Sequence, residues 1–156
     1  MPVIPTSLTA AAGEHFVAYL LAARGYVVAL TRGGSPSVDV LASDASGKYT
    51  LGIQVKTAFW GYRSRVRSPA SSHWEFDVGT KAICNRSDAF IYAFVNLYGD
   101  KPVLQAKPIV FWATLTDVTQ ALGSGSKRNM FWVYLKDRKK YEDENWKLVE
   151  TKLGRP

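Results

Sequence analysis

Two short runs of alternating residues, joined by a turn, constrain this chain more than any other feature. In the first, Val38, Val40 and Ala42 alternate with Asp39, Leu41 and Ser43. In the second, Tyr49, Leu51, Ile53 and Val55 alternate with Thr50, Gly52, Gln54 and Lys56. Side chains change face at every residue of a strand, so each run has one apolar face. Ser43 to Lys48 (Ser-Asp-Ala-Ser-Gly-Lys) is turn chemistry. The stretch therefore reads as two adjacent strands. Gln54 and Lys56 share a face; with Asp39 on it, the hairpin presents a carboxylate, an amide and an ammonium together. Asp39 and the Gln54 carbonyl offer oxygen ligands to a divalent cation. Lys56 can orient or activate a water, or neutralise charge on a phosphate. A solvated sheet face with an ordinary Asp–Lys pair uses the same residues.

The segment from Leu8 to Arg24 reads as the first helix, with Ser7 as its N-cap and Gly25 as its stop. It is apolar nearly all round and is expected to be largely buried. Glu14 falls among Ala10, Ala11, Val17, Ala18 and Leu21 on the helical wheel, with no basic residue within one turn. A carboxylate there requires a cation or a hydrogen-bond partner. A structural ion pair with a distant Lys or Arg and a metal site both satisfy that requirement.

Glu14, Asp39, Gln54 and Lys56, in the order helix, strand, strand with Asp, strand with Gln-Val-Lys, resemble the PD-(D/E)XK, or restriction-endonuclease-like, nuclease superfamily. The likeness is to its Holliday-junction-resolvase-like and mobile-element members, and covers Leu8 to about Asn96. Two positions depart from the pattern. Val38 rather than proline precedes Asp39, and Gln54 stands where a second acid is usual, which leaves Glu14 to supply that charge. The resemblance implies an α/β fold with a restriction-endonuclease-like core, a mixed central β-sheet flanked by helices. It also implies Mg²⁺ or Mn²⁺ at Glu14, Asp39 and Gln54, Lys56 as a catalytic residue, and hydrolysis of phosphodiester bonds in DNA.

Charge points the same way. The net charge of +7 favours a polyanionic partner. Arg63, Arg65 and Arg67 alternate just after Lys56 and, if extended, form one basic edge suited to a phosphate backbone. Trp60 and Tyr62 could stack on unpaired bases, although core or rim packing is the plainer role for both. Ser37, two residues before Asp39, falls on the same strand face within reach of a phosphate; a solvent-exposed hydroxyl is the plainer reading. Lys127 and Arg128 lie in a Gly-Ser loop and join the arginines as candidate nucleic-acid contacts.

Elsewhere the sequence mainly excludes. Cys84 is the only cysteine, which rules out an internal disulfide and, with two histidines, a Cys/His zinc site. No apolar run reaches membrane-spanning length and no signal peptide is expected, which suits a cytoplasmic protein. The glycines of Gly33-Gly34 do not match a phosphate-binding or dinucleotide fingerprint. Trp74, Phe76 and Val78 alternate in a further strand, and Thr80 to Arg86 suits a short helix. Asp88 to Leu97 is apolar on both faces, as a buried central strand is. Val103 to Ala113 suits an edge strand or a bent pair, because of Pro108. Thr114 with Asp117 marks a helix start, and Met130 to Leu135 a last strand; Lys136 to Lys147, of mixed charge, suits a short exposed helix docked by Trp146 and Val149. One domain spans residues 1–156, with a core at about 8–96. The expected partner is DNA, with a homodimer as an allowed assembly and no membrane. A nucleic-acid-binding module that no longer cuts is the alternative, favoured by Gln54 and opposed by Glu14 with Lys56. A structural protein that uses its charge for solubility or an acidic partner is the third.

Overall fold

The computed structural model describes residues 4–31, 37–79, 90–98, 107–123 and 129–155. The expected helix at Thr80 to Arg86, and Lys127 and Arg128, lie outside them.

Helix α1 spans Thr6–Ala22 and starts after Pro5, without a side-chain cap. The Pro5 carbonyl accepts hydrogen bonds from the Leu8 and Thr9 N–H groups, so backbone replaces the Ser7 cap read from sequence. The stop falls where expected. Gly25 has a φ of +83°, and the Tyr26 N–H donates to the Leu21 carbonyl at 3.2 Å, a closure that favours glycine. The expected burial is not found. Only Thr9, Gly13, Val17 and Leu21 are buried, one stripe at every fourth residue, while Leu8 and Tyr19 are 60% and 64% exposed. Alanine supplies most of the apolar character of the other faces, and burying it gains little.

Five strands form the central sheet: β1 (Val27–Leu30), β2 (Val40–Ser43), β3 (Thr50–Ala58), β6 (Phe90–Asn96) and β7 (Ile109–Thr114), in the order β1-β2-β3-β6-β7. The first three form an antiparallel meander, β3 pairs parallel with β6, and β6 pairs antiparallel with β7. The sheet is therefore mixed, in an α/β protein with helices at its flanks. Every residue of β6 is buried, as its two-sided apolar sequence requires. β7 begins immediately after Pro108 and lies at the sheet edge, where a residue without an N–H is tolerated.

The two faces of this sheet differ. Val40, Ala42, Leu51, Ile53, Val55, Ile91 and Val95 pack with Val17 and Leu21 of α1, with Val149 of α3 (Asn145–Lys152) and with Leu153 just after it. The opposite face is aromatic, with Tyr92, Phe94 and Phe111 against Trp74, Phe76 and Phe131. These come from a second sheet not anticipated from sequence: β4 (Tyr62–Arg63), β5 (His73–Asp77) and β8 (Met130–Tyr134), in the order β4-β5-β8. Helix α2 (Leu115–Gly123) closes the same face through Val118. Among the described residues no helix is long and apolar enough to cross a membrane.

Candidate functional site

The site begins where the ladder between β2 and β3 stops. β2 pairs only with Thr50 to Ile53, whereas β6 pairs with Gly52 to Ala58 on the other side. Among the described residues the β2-facing edge of β3 therefore has no strand partner from Gln54 onward, which leaves a notch in the sheet. Asp39 enters it. Its N–H donates to the Ile53 carbonyl at 2.9 Å, although Val40 is the strand partner of Ile53. Two residues of the incoming chain thus face one residue of β3, as in a β-bulge, a device that re-aims a side chain. Asp39 Oδ2 accepts the Val55 N–H at 2.8 Å. Ladder N–H groups lie in the plane of a sheet, so the carboxylate stands in that plane, where a neighbouring strand would have been. Simple alternation from β2 places it on a face instead.

Helix α1 crosses the same part of β3. A Cβ at Gly13 would overlap the Thr57 hydroxyl and lie 2.9 Å from Thr57 Cβ and Cγ2, so only glycine allows this approach. The next residue, Glu14, is thereby brought to the notch half-buried. Burial first, and the negative charge of Asp39 second, push its carboxyl above the ordinary glutamate value; neighbouring His15 opposes them. Glu14 has no hydrogen bond or ion pair to another described residue. Gly13 beside an acid in an alanine-rich helix was the sequence signal for this contact, and it was missed.

Gln54 and Lys56 leave β3 on the face opposite to Leu51, Ile53 and Val55, beside Tyr92 and Phe94 of β6. Both are half-buried. The structure thus places Glu14 with Asp39, and Gln54 with Lys56, on either side of β3, with the Asp39 carboxylate at the edge between them. The two carboxylates brought together at the notch are oxygen donors that suit a hard cation, whereas Gln54 leaves β3 on the face away from Glu14. The fit rests on Glu14, a half-buried acid with an anion for a neighbour, against which only His15 acts among the described residues. Among the described residues no cluster of three His, Cys, Asp or Glu occurs, so further ligands would be amide, backbone or water oxygens.

The remaining sequence candidates fall elsewhere. Ser37 has a φ of +85° and precedes the strand, so strand parity does not fix its direction. Arg63, Arg65 and Arg67 are all exposed but do not form one row. β4 ends at Arg63, whose Nε donates to Glu75 Oε1 at 2.7 Å. The chain then turns, with the Ser68 N–H on the Arg65 carbonyl at 3.1 Å. Tyr62 packs on Trp74, ring centroids 5.0 Å apart, in a structural role.

No family model and no curated protein matches this chain.

Proposed function

We propose that the chain is a metal-dependent DNA endonuclease of the PD-(D/E)XK type. The observation that carries this reading is the half-buried Glu14 carboxylate, held against Asp39 in a notch beside the Gln-Val-Lys strand and without a hydrogen bond or ion pair to another described residue. An acid perturbed by burial and a neighbouring charge is a mark of functional sites. Glu14 and Asp39, with the Gln54 oxygen, would hold Mg²⁺ or Mn²⁺. When bound, the ion supplies charge stabilisation at the scissile phosphate and acidifies a water. The Val55 N–H fixes the orientation of Asp39. Lys56, with no ion pair to another described residue, holds its charge ready for a phosphate oxygen or the attacking water.

The test is a cleavage panel of linear, nicked, branched and single-stranded DNA with Mg²⁺ and Mn²⁺. Asp39→Ala should lower cleavage by about 10²–10³-fold, the scale for removing one group that stabilises transition-state charge, and leave the fold intact by circular dichroism. Unimpaired cleavage by that variant would name the wrong residue. Gln54 in place of an acid favours a non-cutting DNA-binding module as the second reading. Calorimetry separates the two: metal binding weakened by Glu14→Gln and tightened by Gln54→Glu supports the endonuclease, and indifference to both supports the module.

A further inference from the structure

The solvent face of the second sheet carries an aromatic array that the metal site does not use. Cross-strand register places Arg63, His73 and Tyr134 in one row and Glu75 and Trp132 in the next. The His73 and Trp132 rings stack with centroids 4.8 Å apart, and the His73 and Tyr134 centroids are 5.5 Å apart. His73 is buried beneath its neighbours at 3% exposure, and Trp132 stands 43% exposed above it. A tryptophan on a sheet face over two further rings is a preformed apolar platform, unlike Trp74 and Trp112, which are packed inside.

Charge around the platform is uneven. Hydrogen bonds from the Arg65 N–H to Ser72 Oγ and from the Leu135 N–H to the Ser72 carbonyl bring Arg65 and Lys136 to the Tyr134 end. The Lys136 ammonium lies 6.0 Å from the Tyr134 ring centroid. Glu75 is neutralised by Arg63, and Asp77 is at the far end, opposite Met130. Flat rings beside two cations without an ion pair to another described residue match the two parts of an unpaired nucleotide, a base to stack and a phosphate to neutralise. An acidic protein partner would satisfy the cations and leave the rings unused. Duplex DNA, with its bases already stacked, would do the same.

We propose that this face binds single-stranded nucleic acid, one base stacking on Trp132 and the adjoining phosphates meeting Arg65 and Lys136. The inference rests on the reading of this chain as a nucleic-acid-binding protein and does not depend on cleavage. It is tested by fluorescence anisotropy of the whole chain in EDTA, with labelled oligothymidine, oligouridine and a DNA duplex of equal length. Trp132→Ala should weaken oligothymidine binding by about 5- to 150-fold, the range of one lost aromatic–base stack, and duplex binding by less than about twofold. Trp132→Phe, which keeps a ring, should stay near the native affinity. Oligouridine bound as well as oligothymidine would extend the surface to RNA. Equal loss on the duplex, no loss in a Trp132→Ala protein folded by circular dichroism, or a Phe variant as weak as the Ala variant would each overturn it. Failure of the native chain to bind oligothymidine would overturn it too. Trp132-dependent binding without cleavage on any substrate would instead end the endonuclease reading alone.

Discussion

Glu14 and Asp117 are both acids drawn toward the body of the protein from helices, and their surroundings have little in common. Asp117, with its side chain 11% exposed, accepts Lys140 Nζ at 2.6 Å. It also accepts the Thr114 hydroxyl at 2.7 Å, the Thr114 N–H at 2.9 Å and Asn145 Nδ2 at 3.3 Å. Burial pulls its carboxyl upward, yet the hydrogen bonds from Lys140 and Thr114 together hold it below the ordinary aspartate value. At Glu14 burial acts in the same direction with no donors among the described residues, and the charge of Asp39 adds to the effect while His15 opposes it. Desolvation is thus common to both, and the donors decide the outcome. An acid placed to hold a fold is surrounded by groups that stabilise its charge. Glu14 is placed by a close helix–strand approach and has no hydrogen bond or ion pair to another described residue.

The largest disturbance of this contrast should come from Gly13→Ala. Alanine is favoured over glycine inside a helix by about 1 kcal/mol. The new methyl, however, overlaps a branched side chain on β3, a central strand with little room to move, and overpacking costs about 1–3 kcal/mol. The contact should prevail, with net destabilisation in urea and Glu14 displaced from Asp39. Thr57→Ala alone should be nearly neutral, because Thr57 Oγ1 is buried with no hydrogen-bond partner. Combined with Gly13→Ala it should recover most of the loss, a coupling that a double-mutant cycle measures. Additive effects would show that α1 does not rest on Thr57.

Asp117→Ala comes next. It removes a reciprocal cap, since the Asp117 N–H also donates to Thr114 Oγ1 at 3.1 Å. The cost should be about 0.5–2 kcal/mol, with no change in metal affinity. The pH dependence follows from the direction of its shift. A carboxyl held low in the folded state stabilises above its unfolded value and loses that contribution as pH falls through the folded one. The native protein should therefore lose stability in acid, below the ordinary aspartate range, more steeply than Asp117→Ala does. Parallel urea midpoints for the two proteins across that range would remove Asp117 as the stabilising partner.

What the sequence made legible was local. The period-two pattern of β3, the two-sided apolar run of β6, the Thr114–Asp117 helix start and the stop at Gly25 each depend on a few neighbouring residues. The second sheet depends on β5 meeting β8 more than fifty residues away, which no local period encodes. Glu14, Asp39, Gln54 and Lys56 could be named as chemical types, but not their directions. Asp39 turns into the sheet plane because of a bulge that exists only once β3 is beside it. The arginine row failed for the opposite reason, since an alternating Arg pattern does not reveal the turn that ends β4 at Arg63.

The smallest effect expected, and the sharpest test of the contrast, is that of Glu14→Gln. A carboxyl whose folded value is raised binds its proton more tightly folded than unfolded. Its penalty is absent below the unfolded value, grows as pH rises through the folded one and is complete above it. Removing the charge should therefore raise the neutral-pH melting temperature slightly, and flatten the decline in stability that the native chain shows as pH rises from the glutamate range. Much of Glu14 is still reached by solvent, which keeps the gain small. Metal affinity should move the opposite way, because the site loses one of its two negative charges. An acid whose removal stabilises the protein while weakening metal binding is kept for function against the interest of the fold. Measured together, the melting temperature in EDTA and calorimetry with Mn²⁺ give two signs. Destabilisation in EDTA would make Glu14 a structural acid like Asp117, and the distinction between the two regions would be lost.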